Sequence, residues 1–253
     1  MAAPCELGGK GVLVTRPAGQ AAGLCRLVAE AGGRAICFPT VAIQQPQDPE
    51  AARGLLAEAW DLMIFISQNA VERALPLLPQ GRLPEHPRLA AIGRTTALAL
   101  TNSGRAPDLV PGQRFDSETL LALPELADLR GQRVVIVRGE GGRALLGDTL
   151  AQRGAQIAYA EVYRRTLPAG VDAAHLISRW RREVHLVTAT SDEILLNLCE
   201  LVGEQGRELL LATPLVVVSE RTAQTAGLLG FTRVEVAENA ADEAMLAALC
   251  RIN

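Results

Sequence analysis

The chain has 253 residues, 49% of them hydrophobic and 21% charged, with a formal net charge of −3. That length and apolar content exclude a disordered chain and suit one large domain or two small ones. The mild acidic surplus and an aromatic content of 3% exclude a generic nucleic-acid binder, which needs clustered cations or stacking platforms. Five cysteines (Cys5, Cys25, Cys37, Cys199, Cys250) form no C-x-x-C, and His86, His175 and His185 have no ligand spacing. No metal and no cofactor is expected. Met1–Lys10 has no basic start followed by an apolar run, and no apolar segment reaches the length of a membrane span. A reduced, cytoplasmic setting without a membrane partner is the expectation.

In chain order, Val12–Val14 is the first apolar run without alternation, the pattern of a strand buried on both faces. Thr15, Arg16 and Pro17 follow; proline fits the first turn of a helix, and Leu24, Leu27, Val28 and Ala31 then share one helical face. Cys37–Gln47, with Pro39 and Pro46 among polar residues, reads as a crossing segment. Leu62–Ile66 predicts a second strand, ending at Ser67-Gln68-Asn69. Leu89–Ile92 predicts a third, ending at Gly93 with Thr95 and Thr96. Val134–Val137 leads into Gly139-Glu140-Gly141-Gly142 and a helix with Leu145, Leu146, Thr149 and Leu150 on one face. Ile157–Pro168 is a second candidate crossing. His185–Val187 ends near Thr190-Ser191 before a helix with Ile194, Leu198, Leu201 and Val202 on one side, and Leu215–Val218 ends at Ser219 with Thr222 beyond it. The order is βαβα, so the predicted fold class is α/β, with parallel sheets flanked by helices.

The chain also repeats itself. Gly11–Arg16 matches Arg133–Arg138 at a spacing of 122 residues, Ile66–Ala70 matches Thr190–Ile194 at 124, and Gly93–Ala97 matches Ser219–Ala223 at 126. Two related lobes are implied.

Nearly every predicted strand ends in small, hydroxyl or glycine residues just before a helix. In open parallel sheets, ligands bind at the carboxyl ends of strands, where helix N-termini offer unpaired N–H groups and a positive dipole end. Thr15, Arg16, Ser67, Gly93, Thr96, Arg138, Gly139, Gly141, Ser191, Ser219 and Thr222 are accordingly candidate contacts for an anionic ligand. Ser and Thr at such points also simply cap helices.

Gly139-x-Gly141-x-x-Ala144 after a strand, with Glu161 about twenty residues on, matches the relaxed dinucleotide pattern, so an NAD(P)-dependent oxidoreductase is one rival reading. A non-catalytic two-lobed small-molecule binding protein is another. The equivalent turn in the first repeat, Thr15–Gln20, lacks the glycines. No Ser-His-Asp set or paired-carboxylate signature is visible. Tyr163, one of only two tyrosines, lies beside the second crossing; a phenol carries its proton at neutral pH and can donate it to a leaving group.

The ordered set Val12–Pro17, Phe65–Val71, Ala91–Ala97, Val137–Arg143, Glu161–Arg164 and Ser219–Leu249 resembles the uroporphyrinogen-III synthase family over nearly the whole chain. The resemblance implies two similar lobes joined by a two-stranded linker, with the active site in the cleft. It places 1–38 and 166–253 in a discontinuous lobe and 42–161 in an inserted one, with 39–41 and 162–165 as the linker crossings. It implies conversion of hydroxymethylbilane to uroporphyrinogen III, with loss of water, ring closure and inversion of the terminal pyrrole, by a monomer that needs no cofactor and touches other tetrapyrrole-pathway enzymes only transiently. Tyr163 would protonate the departing hydroxyl, while Thr96, Thr222, Ser67 and Ser191 would hold substrate carboxylates directly or through neighbouring N–H groups. Asp192 and Glu193 depart from the pattern by placing negative charge beside Ser191.

Overall fold

A computed structural model describes residues 6–112, 117–142 and 144–253. Cys5 and Arg143, the last residue of the fourth motif above, lie outside them. In chain order the first elements are β1 (Gly11–Val14), α1 (Ala18–Glu30), β2 (Arg34–Cys37), β3 (Ala42–Gln44), α2 (Pro49–Ala57), β4 (Leu62–Phe65), α3 (Gln68–Ala74), β5 (Arg88–Ala91), α4 (Arg94–Asn102) and α5 (Ser117–Leu121). They are followed by β6 (Arg133–Gly139), α6 (Leu145–Gln152), β7 (Gln156–Thr166), α7 (Ala173–Glu183), β8 (Leu186–Ala189), α8 (Asp192–Ala212), β9 (Leu215–Val217), α9 (Glu220–Leu229), β10 (Val234–Val236) and α10 (Asp242–Ile252). The chain divides into two compact units, one running to Ala42 and resuming at Thr166–Asn253, the other Ile43–Arg165.

The first unit holds a parallel sheet in the order β10-β9-β8-β1-β2. β1 and β8 are buried along their whole length, as unbroken apolar runs demand when helices cover both faces. On one face, Val12, Val14, Leu186 and Val216 pack with Leu24 and Val28 of α1 and Met245, Ala248 and Leu249 of α10.

The second unit has the order β3-β7-β6-β4-β5, with β7, β6, β4 and β5 parallel. Period-two geometry divides its strands between two cores. Met63, Phe65, Leu89, Val135 and Val137 point to one face, and Leu62, Ile64, Ala90, Val134 and Ile136 to the other.

The sequence repeat is realised as matching strand order. β8 and β4, β1 and β6, and β2 and β7 occupy equivalent places, and β9 is matched by β5. Even β10 has a counterpart, because Leu109 bridges Ala90 of β5 in parallel. Each unit is therefore a composite: the first takes its β1-α1-β2 part from the first repeat and its other strands from the second, and the second unit does the reverse.

Helices start where short polar side chains accept first-turn N–H groups: Asp48 for α2, Ser67 for α3, Asp172 for α7, Ser191 for α8 and Ser219 for α9. Each such cap contributes about 1 kcal/mol. Gly230 ends α9 in the left-handed region (φ 103), where a glycine has no steric cost.

Several local expectations need correction. Leu145, placed on the buried face of its helix, is 46% exposed; α6 instead turns Leu146, Gly147 and Leu150 inward. β8 begins at Leu186 rather than His185, whose ring Nδ1 accepts from the backbone N–H of Gly11 at 3.0 Å. Ile66, Ile92 and Val218 fall just past their strands. α8 is broken at Gly203 (φ 54, ψ −164), beyond the stretch whose spacing predicted it. β2 and β10 carry no long apolar run and were not expected as strands, whereas β3 falls within the Cys37–Gln47 crossing, which was open to a hinge or a linker strand.

Candidate functional site

In the second unit the carboxyl ends of β4, β6 and β7 converge on Ser67, Gly139 and Tyr163. β6 and β7 pair residue for residue until Arg138 meets Glu161; Gly139 then meets Tyr163, leaving Val162 as the extra residue of a bulge. The bulge re-aims the Tyr163 ring across Gly139, whose missing side chain makes room for it: a β-carbon there would lie 2.6 Å from Cε2. Tyr163 is 1% exposed, and its hydroxyl is 3.2 Å from Oγ of Ser67. Ser67 Oγ also accepts from the N–H of Ala70 at 3.0 Å, capping α3. Ser67 is only partly buried, so the serine hydroxyl is the outer member of the pair.

Beside them, Gly93 precedes α4 in extended conformation with no side chain to cap it. The first-turn N–H groups of α4 are thus left without the side-chain acceptor that Ser67 gives α3. Thr96 in that turn is buried. Gly141, at φ 73, shapes the loop after β6.

Arg138 is directed into its own unit. Its guanidinium lies 2.9 Å from Glu161, donates to the carbonyl of Gly142 at 3.2 Å, and sits 3.9 Å over the ring of Tyr159. A cleft of about 260 Å³ in this unit is lined by Asp48, Glu140, Tyr159 and Glu161. Its three carboxylates make it a poor host for a polyanion.

In the first unit the strand ends are joined by their own network. The Thr15 hydroxyl donates to the carbonyl of Thr188 at 2.5 Å. Arg16, buried, pairs with Asp242 and donates to the carbonyl of Ala240 at 2.6 Å. Ser191 caps α8 through the N–H of Ile194 at 3.2 Å. Ser219 caps α9 through the N–H of Thr222 at 3.2 Å, and the two hydroxyls are 3.0 Å apart. Thr222, buried, donates its hydroxyl to Oδ1 of Asp192 at 2.6 Å, while Nε of Arg221 lies 3.1 Å from Oδ2. The Asp192 carboxylate beside Ser191 is thus engaged by the next helix end.

The chain matches the HEM4 family, uroporphyrinogen-III synthase HemD, over residues 23–247. It is 42% identical to the uroporphyrinogen-III synthase of Escherichia coli (strain K12), an alignment covering 94% of this chain and 99% of that protein. The chain belongs to the uroporphyrinogen-III synthase family. The synthase of Salmonella typhimurium is 40% identical over the same shares of the two chains. Solved uroporphyrinogen III synthases from Thermus thermophilus (a mutant form; TM-score 0.59, 23% identity, 96% and 98% covered) and Helicobacter pylori (0.63, 15%, 96% and 99%) share the fold.

Within this family assignment, the sequence residues fall into groups. Ser67 and Gly139 each meet Tyr163, and Ser219, Thr222 and Ser191 are gathered around Asp192. Arg16 and Arg138, expected to meet an anionic ligand, are each held by an acid of the same unit, because a mostly buried guanidinium is costly without a partner. The same pairing undercuts the dinucleotide reading, which needs Glu161 for a ribose: that carboxylate is bound by Arg138. Asp242, the partner of Arg16, was missed because 226 residues separate the two and no local pattern links them.

Proposed function

We propose that this chain converts hydroxymethylbilane to uroporphyrinogen III, and that the Ser67–Tyr163 pair assists departure of the hydroxymethyl oxygen. The observation that carries the second part is the 3.2 Å contact between the two hydroxyls at the carboxyl ends of β4 and β7. Tyr163 is too buried to meet a large ligand with its ring, whereas Ser67 is partly exposed. In this reading Ser67 donates to the leaving oxygen and is re-protonated by Tyr163. The carbon–oxygen bond breaks, the oxygen leaves as water, and the pyrrole nitrogen's lone pair forms an azafulvenium cation. The substituted α-carbon of the terminal pyrrole attacks the methylene carbon to give a spirocyclic intermediate, which reopens and recloses with the terminal ring reversed, and the proton lost at the last rearomatisation returns to Tyr163.

An electron-rich pyrrole expels hydroxide with only weak acid assistance, so holding one folded conformer contributes most of the rate. The uncapped first turn of α4, with Gly93 and Thr96, suits a substrate carboxylate through N–H donors and the helix dipole. Thr222 and Arg221 suit another, in competition with Asp192. No residue in this scheme requires a nicotinamide or a metal. Isomer composition of the product is the test: type III formed without added cofactor supports the reading, and type I alone refutes it.

A further inference from the structure

We infer that Cys25 and Cys37 close a reversible disulfide, a redox modification site that staples α1 to the edge strand β2 of the first unit. The two thiols are hydrogen-bonded with their sulfurs 3.0 Å apart. A disulfide needs about 2.05 Å, so an approach of about 1 Å makes the bond. Both cysteines are free, and neither lies deep in the core: Cys37 is exposed and Cys25 half-buried.

The two sulfurs have different parts in the chemistry. Cys37 lines a cleft of about 400 Å³ together with Arg34, Phe38 and His175, which gives a small oxidant access to it. Burial, and then the hydrogen bond with Cys37, push the Cys25 thiol up to about 12. Cys37 is therefore the attacking sulfur and Cys25 the resolving one.

With a low-molecular-weight disulfide as oxidant, the Cys37 thiolate attacks one of its sulfurs, forming a mixed disulfide and expelling a thiolate. Cys25 gives its proton to that thiolate, and its sulfur attacks Sγ of Cys37. The Cys25–Cys37 bond forms and the second small thiol departs. The protein loses two electrons and two protons, and the small disulfide becomes two thiols. Because Asp242 and Arg16 both act electrostatically on Cys25, the staple lies beside the ion pair that anchors the chain between β1 and α1.

The experiment equilibrates the full chain in mixtures of reduced and oxidised glutathione, blocks free thiols by alkylation, and maps disulfides by mass spectrometry. The expected result is a Cys25–Cys37 cross-link that added reductant reverses, with an unfolding midpoint about 5 °C above that of the reduced chain. Cys25→Ser should stop at a glutathione adduct on Cys37 and show no such rise. Separate alkylation of Cys25 and Cys37 in the most oxidising mixture, or a cross-link that added reductant does not reverse, would overturn the inference. If Cys25→Ser fails to fold, mapping of the unsubstituted chain before and after added reductant still decides it.

Discussion

Cε2 of Tyr163 occupies space that a β-carbon on Gly139 would approach to 2.6 Å, so a strand bulge and an absent side chain together set where the phenol hydroxyl lies. Gly139→Ala has no backbone reason to fail, since this glycine is not among those at positive φ. Its cost is steric: the Tyr163 ring must shift. We expect a loss of about 1–3 kcal/mol in chemical denaturation and a fall in kcat larger than any change in KM. Unchanged stability and turnover would show that the close approach matters to neither.

Tyr163→Phe removes the 3.2 Å hydroxyl contact with Ser67 and leaves the packing intact. Turnover should fall about 10–100-fold, toward the low end of general acid effects because the leaving group needs little help. Ser67→Ala should slow turnover similarly and also cost about 1 kcal/mol through the lost cap on α3. A normal rate in Ser67→Ala alongside a slow Tyr163→Phe would remove the serine relay and leave the tyrosine acting directly.

Asp192 occupies the hydroxyl of Thr222 and the guanidinium of Arg221, two groups suited to a ligand carboxylate. Asp192→Asn removes the competing charge. At an effective dielectric of about 20 and a separation of roughly 8 Å, like-charge repulsion is worth about 2 kcal/mol, so KM should fall about 30-fold in steady-state kinetics. A rise in KM would mean that Asp192 orients Thr222 for the ligand instead of competing with it.

Asp128 offers a check on the electrostatics away from any site. The side-chain and then the backbone hydrogen bonds from Arg130 hold its carboxyl at about 2. A carboxyl depressed on folding adds stability that is present above the ordinary carboxylate range near 3.9 and is lost as pH falls through about 2. Both partners are exposed, so the gain is small, and Asp128→Asn should barely move the unfolding midpoint at neutral pH. Carbon-detected NMR titration should find the depressed value; a midpoint near 3.9 would show that the pair is not formed in solution.

The parts of this fold that were legible in the sequence are those in which burial alone dictates residue type. β1, β4, β6 and β8 sit inside their sheets and read as unbroken apolar runs. β2 and β10 lie at the edge of their sheet, where half-exposed positions admit Arg34 and Glu235 and the run dissolves. Ser67, Ser191 and Ser219 were visible because a hydroxyl between strand and helix has a local purpose. Their partners were not visible. Asp192 on Thr222, Asp242 on Arg16 and Glu161 on Arg138 depend on which strands become neighbours, and the contact of Gly139 with Tyr163 depends on a one-residue slip in pairing. The repeat was legible as sequence, whereas the expectation of a discontinuous lobe joining 1–38 to 166–253 came from the family resemblance alone, since similarity along a chain does not say which copy packs with which.

The most direct measurement of the central claim is the isomer ratio of the porphyrin obtained when the purified chain, without any added cofactor, is given freshly made hydroxymethylbilane and the product is oxidised and separated by chromatography. A product dominated by the type III isomer is expected. Type I alone, formed at the rate seen without protein, would contradict it.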